Sequence, residues 1–264
     1  MLKFVDKSLS ATHVDLPQSK VKLGFTLAEG ATHVNLLPIK VRFGFTLAEV
    51  LITLGIIGVV AALTIPTLMT AHKKHVTAAK LKRAVSSINQ AIKLSESENG
   101  EFENWDRTLT QKEFVDKYFR PYMKIAQVCN PVTDCGYKSN APWTYMNGST
   151  NGSYSTPNHG GRTPFLTLDG FLYAYSAYSA GSDSITGDND RVIIVDINGA
   201  EKPNQLGKDV FFLYRIEEED SIIPYGADKS DEEIRNSCSK NGNGFYCAAL
   251  IRKNGWEIPN SYPW

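Results

Sequence analysis

The features that support catalysis or nucleic-acid binding are scarce in this 264-residue sequence. Lysine and arginine together number 28, as do aspartate and glutamate, so no net charge favours nucleic acid as an obligatory partner. Of the five histidines only His159 follows residue 75, and the sequence contains neither a Gly-x-Ser-x-Gly elbow nor a phosphate-binding glycine loop. We therefore predict no enzymatic activity and, calcium aside, no cofactor.

Cysteine is also scarce, and its four positions all follow the basic cluster at 72–74: Cys129, Cys135, Cys238 and Cys247. An even number at short spacings indicates disulfides and an oxidising compartment. Three pairings are possible, and the cost of loop closure favours Cys129 with Cys135 and Cys238 with Cys247. The alternative is zinc binding, but neither pair is a Cys-x-x-Cys and His159 is remote in sequence.

The sequence does contain one long apolar run. After Glu49 no charged residue occurs until the basic cluster at 72–74, so residues 50–71 are long enough to cross a bilayer core of roughly 30 Å as a helix. Lys40 and Arg42 precede the run, which favours a cytoplasmic leader and a translocated C-terminal part. The lysines at the far end favour the opposite orientation more weakly.

Two residues distinguish this run from an ordinary membrane anchor. Gly44 is a small residue before the apolar core, whereas a secretory signal has its small-residue cleavage site after the core. Glu49 is an ionisable residue inside the apolar segment, where a carboxylate requires a partner. A cut between Gly44 and Phe45 explains both, because it creates an α-amino group that can neutralise this carboxylate.

The motif Gly44-Phe45-Thr46-Leu47-Ala48-Glu49, followed by the apolar run, closely resembles the N-terminal cleavage and methylation motif of type IV prepilins and type II secretion pseudopilins. The resemblance implies a prepilin peptidase that cuts after Gly44 and methylates Phe45. It also implies a filament in which Glu49 meets the Phe45 amine of a neighbouring subunit. The alternative is a plain signal anchor with an interfacial Glu49.

The resemblance further implies partners and a location. The partners are prepilin peptidase, other pilin or pseudopilin subunits in a homo- or hetero-filament, an inner-membrane assembly platform and the lipid bilayer, with no nucleic acid as default. The location is the bacterial inner membrane, crossed once, with the C-terminal domain periplasmic or extracellular. Two functions remain open: a structural subunit of a type II secretion pseudopilus or type IV pilus, or a membrane-anchored minor pilin that acts as an adhesion or DNA-uptake binding module.

The leader, residues 1–44, contains an internal duplication. Residues 11–29 and 31–49 are nearly the same sequence at an offset of 20. The first copy carries a second Gly-Phe pair at Gly24 and Phe25, but no apolar run follows it. We therefore expect the first copy to remain uncleaved.

An amphipathic pattern continues beyond the apolar run, and it predicts a helix through residues 72–98. Apolar residues recur at i, i+3, i+4 and i+7, namely Leu81, Ala84, Val85, Ile88, Ala91 and Ile92. A single helix over 45–98 would be about 80 Å long, with a kink or loosened turn expected at Pro66. The expected fold is α+β and type IV pilin-like: a long N-terminal helix packed against an antiparallel sheet in an exported domain of residues 99–264.

Local signals in that domain predict further elements. Thr110 and Glu113 form a capping box that opens a short helix. Strands are expected at 164–168, 171–175, 191–197 and 210–216, the first two joined by an Asp169-Gly170 hairpin turn. Residues 140–162 are rich in turn-forming types and predict a long surface loop.

Acidic residues near the predicted turns form a weak calcium candidate: Asp188, Asp190, Asp196 and Asp209. Oxygen ligands of this kind suit calcium, and some pseudopilins bind calcium in a C-terminal loop. The spacing does not match the EF-hand pattern, and aspartate is common in turns for conformational reasons. Ordinary turn structure is therefore the favoured interpretation.

Overall fold

The apolar run and the amphipathic stripe form one helix, α1 (Leu47–Asn99), which is continuous through Pro66. A computed structural model of the chain describes residues 44–106, 108–150, 153–159, 162–176, 192–216 and 221–264. The predicted leader, apart from Gly44, therefore lies outside the described residues. The chain divides into two compact units, Met1–Thr53 and Leu54–Trp264.

The two parts of α1 differ completely in exposure. From Phe45 to Met69 every large apolar side chain is exposed, by 40% to 88%. All six residues of the predicted stripe are buried, and burial begins at Ala78. The helix ends one residue later than predicted, and Gly100 follows with φ of 79°, a left-handed conformation that glycine adopts without steric cost. The amphipathic prediction is confirmed.

A six-stranded antiparallel sheet follows, with the strands in sequence order from edge to edge. The strands are β1 (Ile125–Val128), β2 (Arg162–Thr167), β3 (Leu172–Ser176), β4 (Val192–Asp196), β5 (Val210–Ile216) and β6 (Ser221–Pro224). The four predicted strands and the Asp169-Gly170 turn are confirmed. The two edge strands, β1 and β6, were not predicted.

Three short α-helices are present in the described part of the domain: α2 (Gln111–Tyr118), α3 (Asp231–Ser237) and α4 (Cys247–Lys253). The predicted capping box at the start of α2 is present, since the Thr110 side chain accepts from the Glu113 N–H and the Glu113 carboxylate accepts from the Thr110 N–H. A second capping box, Ser230 with Glu233, opens α3.

The sheet is buried on both faces along its central strands, whereas the edge strand β1 is partly exposed. Side chains that alternate along its strands form two separate cores. One face, with Phe165, Tyr173 and Phe211, packs in the same core as the stripe of α1. The opposite face, with Leu172 and Phe212, lies in a second core of its own.

The prediction of a surface loop at 140–162 is wrong in part, because this segment covers the second face of the sheet. Trp143 is fully buried, and Tyr154 is nearly so. Arg162 is also buried, where its guanidinium donates to the Ser153 and Thr156 carbonyls and lies 5.0 Å from the centre of the Tyr154 ring. The turn-forming residues thus connect buried anchors, and residues 147–150 between them are exposed.

The four cysteines form the two predicted disulfides, Cys129–Cys135 and Cys238–Cys247. The second joins the end of α3 to the start of α4. Since all four sulfurs are bonded, no free thiolate is left for the alternative of a zinc site.

Candidate processing site and membrane segment

The Gly44-Phe45 bond lies before the first turn of α1. Gly44, Phe45 and Thr46 have no regular secondary structure, and the helix starts at Leu47. Phe45 is 88% exposed. A peptidase must take its substrate backbone into an extended conformation, so a bond outside the helix is available without unwinding it.

Glu49 is engaged by a residue that the sequence argument did not consider. Its Oε2 atom accepts hydrogen bonds from the backbone N–H and the hydroxyl of Thr46, both at 2.8 Å. The Glu49 N–H donates in return to the Thr46 hydroxyl at 3.2 Å. Thr46-x-x-Glu49 is thus a capping box, the same motif as Thr110-x-x-Glu113. The carboxylate has a local partner before any cleavage.

The second carboxylate oxygen of Glu49 has a different environment. Among the residues that the structure describes, none donates a hydrogen bond to Oε1. Capping therefore occupies one oxygen and leaves the other available to a donor from outside the chain.

The apolar part of α1 satisfies its own polar groups. The hydroxyls of Thr53, Thr64, Thr67 and Thr70 each donate to a carbonyl three or four residues earlier, at 2.8 to 3.0 Å. A helix in hydrocarbon must pair its polar groups internally because no water is available. By length and composition the helix is long and apolar enough to cross a membrane.

Polar contacts hold the second part of α1 on the domain. The Tyr173 hydroxyl donates to the Ala84 carbonyl at 3.1 Å. The buried Arg215 guanidinium lies 3.2 Å from a Glu96 carboxylate oxygen and 4.4 Å from the centre of the Phe102 ring. These contacts fix where the helix leaves the domain.

Two of the four calcium candidates are described, and both are buried acids with donors already in place. Asp196 accepts from the Tyr137 hydroxyl at 2.8 Å and the Trp143 indole N–H at 2.9 Å. Asp209 accepts from the backbone N–H groups of Asn204 and Gln205, at 2.8 and 2.7 Å. A cation would have to displace these donors, so the two residues suit a network of hydrogen bonds better than calcium.

Burial sets the charge state of this pair. Desolvation raises the pKa of Asp196 well above its ordinary value, and the neighbouring Asp209 carboxylate raises it further. Burial also raises the pKa of Asp209, against the opposing effect of its backbone donors. Asp188 and Asp190 lie outside the described residues. Within the described residues no three His, Cys, Asp or Glu side chains are grouped as metal ligands.

These features define a class of protein in which an exposed apolar helix is continuous with a disulfide-bonded α+β domain. A family model described as a family of unknown function, DUF6613, matches residues 67–264, about three quarters of the chain. The chain belongs to this family. No curated protein and no solved structure matches the chain. The family match begins after residues 44–49 and most of the apolar run, so it carries no information about them.

Proposed function

We propose that this chain is a prepilin-like structural subunit. In this account prepilin peptidase cuts between Gly44 and Phe45 and methylates the new amine, and the mature subunit is assembled through α1 into a type II secretion pseudopilus or a type IV pilus. Before assembly the subunit is stored in the bacterial inner membrane through residues 50–71, with its disulfide-bonded domain on the oxidising side.

One observation carries the proposal: the exposed apolar helix follows directly on a non-helical Gly44-Phe45 bond. Every large apolar side chain from Phe45 to Met69 is exposed in the isolated chain, so this surface needs lipid or other helices to cover it. A plain anchor also needs lipid, but its function does not require a small residue such as Gly44, an accessible peptide bond after it, and an acid at the position of Glu49.

The capping box supports a specific role for Glu49. Thr46 holds one carboxylate oxygen at the start of the helix, and Oε1 remains available for the Phe45 amine of a neighbouring subunit. Inside a filament the dielectric is low, and a subunit out of register leaves a charge unpaired at a cost of several kcal/mol. The acid–amine pair would therefore select the register.

The assembly role is favoured over an adhesion or DNA-uptake module. Both faces of the central strands are covered in the described domain, so neither offers an open groove of aromatic or basic residues to a ligand. The net charge of zero also gives no general attraction for DNA.

Two matched variants separate the proposed pairing from simple helix capping. Glu49→Gln retains an oxygen that can accept from Thr46 but removes the charge, whereas Thr46→Val removes the capping hydroxyl and keeps the charge. We expect Glu49→Gln to reduce sheared filament yield at least tenfold, about 1.4 kcal/mol per subunit contact. We expect Thr46→Val to cost about 1 kcal/mol of helix stability and to retain filaments.

The measurement is the amount of sheared filament on an immunoblot, after mass spectrometry has shown that each variant is processed. Equal loss of filaments in both variants would mean that Glu49 acts only as a helix cap. Normal filaments from Glu49→Gln would contradict the pairing outright.

A further inference from the structure

A basic groove lies beside α1, just past the end of its exposed apolar surface. It has a volume of about 490 Å³ and is bounded by α1 on one side and by the connection between β4 and β5 on the other. Four lysines line it: Lys73 and Lys80 from the helix, Lys202 and Lys208 from the connection. We refer to it below as the lysine groove.

The lysine groove has an excess of positive charge. Two acidic side chains, Glu201 and Asp209, also line it, which leaves a net charge of at least +2 from its lysines and carboxylates. Asp209 already accepts two backbone N–H groups. None of the four lysines forms a salt bridge with any residue in the described part of the chain. The cations are therefore available to an external anion.

The position of the groove along α1 places its Lys73 end at the level of lipid headgroups. Lys73 follows Met69, the last large exposed residue of the apolar run, by four residues, a rise of about 6 Å. The polar zone on each side of a bilayer core is roughly 5 to 7 Å thick. Lys80 follows Met69 by eleven residues, a rise of about 16 Å, and so starts beyond that zone. Its side chain is inclined towards the helix N-terminus, which here is the membrane side.

Tryptophans accompany the lysines at this level. Trp264 lines the lysine groove, and Trp256 lines a second groove with Pro66, Thr67 and Thr70 of α1. Both tryptophans are only partly buried, whereas Trp105 and Trp143 lie in the cores. Tryptophan is enriched where protein meets the boundary between hydrocarbon and water, so two such residues beside the emerging helix support contact with lipid.

We propose that the lysine groove binds the phosphate of an anionic phospholipid headgroup while the subunit is stored in the membrane. This inference depends on the membrane span of the proposed function but not on cleavage or filament formation. The bound lipid would seat the domain against the bilayer, and removal of the subunit into a filament would break these contacts.

The test uses the full chain purified in detergent micelles containing equal amounts of phosphatidylglycerol and phosphatidylcholine, with bound lipids counted by native mass spectrometry. The Lys202→Gln, Lys208→Gln double variant removes two charges from the groove without altering the helix. At about 1 kcal/mol per lysine near a charged surface, we expect its affinity for phosphatidylglycerol to fall about thirtyfold. Lys138→Gln with Lys240→Gln is the matched control, since both lysines are exposed and neither lines the groove.

Two results would overturn the lipid site. One is an equal preference for phosphatidylglycerol in the wild type, the groove variant and the control. The other is displacement of phosphatidylglycerol by an equal concentration of inorganic phosphate, which would assign the groove to free phosphate. Co-flotation of the wild type with phosphatidylcholine liposomes tests the membrane span separately. A chain that does not float contradicts both the membrane span and the lipid site. A chain that floats but shows no preference for phosphatidylglycerol in the micelle experiment contradicts only the lipid site.

Discussion

Asn89 on α1 pairs with the main chain of Ile222 as another strand would. The Asn89 amide nitrogen donates to the Ile222 carbonyl at 2.7 Å, and the Ile222 N–H donates to Asn89 Oδ1, also at 2.7 Å. Because β6 is an edge strand, this side chain satisfies main-chain groups that would otherwise be available to another strand.

Asn89→Ala should therefore destabilise the domain. The substitution leaves a partly buried N–H and carbonyl without partners, at a cost of about 1 to 3 kcal/mol. The neighbouring Gln90→Ala is the control, since Gln90 is exposed on the same helix and should change stability by less than about 0.5 kcal/mol. Denaturant unfolding of the full chain in detergent measures both, and equal stability of the two variants would contradict the role given to Asn89.

A second prediction concerns Arg215, which joins the sheet to α1. Its side chain is only 5% exposed, and Arg215→Met leaves the Glu96 carboxylate, 15% exposed, without this cation. Breaking a buried pair in this way costs about 3 kcal/mol. Lys112→Met breaks the exposed pair with Asp116 and should cost less than about 1 kcal/mol. Similar losses in the two variants, measured by the same unfolding experiment, would show that Arg215 contributes no more than a surface charge.

A third prediction follows from the buried acid Asp196. Its pKa in the folded protein is raised by burial, so the folded state binds a proton more tightly than the unfolded state. Stability from this group is therefore fully present below its ordinary pKa of 3.8 and is lost as pH rises towards the raised value. Each unit of difference corresponds to about 1.4 kcal/mol.

Asp196→Asn should remove the loss of stability at higher pH, because the amide cannot ionise and its oxygen can still accept a hydrogen bond from Tyr137. The stability of the variant minus that of the wild type should thus increase as pH rises from 4 to 8. Comparing the two chains cancels the titration of carboxylates that do not interact with Asp196, several of which have lowered pKa values. Asp134→Asn, at an exposed position, is the control. A difference that stays constant with pH would contradict an effect of Asp196 ionisation.

The sequence predicted the elements whose patterns are long or locally complete. The six-residue stripe of α1 and the Asp169-Gly170 turn with its flanking strands are of this kind, because helical period and turn chemistry depend on neighbours in the chain. The short disulfide loops were predictable for the same reason. Strand β1 is four residues long and shows no alternation of apolar and polar types, and β6 ends in proline, so neither gave a clear local signal.

Other features depend on contacts that a sequence does not display. The segment around Trp143 has the composition of a loop, yet it covers the second face of the sheet, which only the tertiary arrangement reveals. The lysine groove combines lysines from positions 73 to 208, too far apart in sequence to suggest a common site. The Thr46-x-x-Glu49 capping box was visible as a motif but was missed, because the predicted pairing with the Phe45 amine had already given Glu49 a partner.

The N-terminus of the mature protein is the most direct test of the central claim. Intact-mass and N-terminal peptide analysis of protein from the native membrane should give a chain that begins at Phe45 with a methylated α-amine. The same chain expressed without prepilin peptidase should retain its leader, which assigns the cut to that enzyme. A mature protein that still begins at Met1, or one that begins at Phe25, would contradict the account.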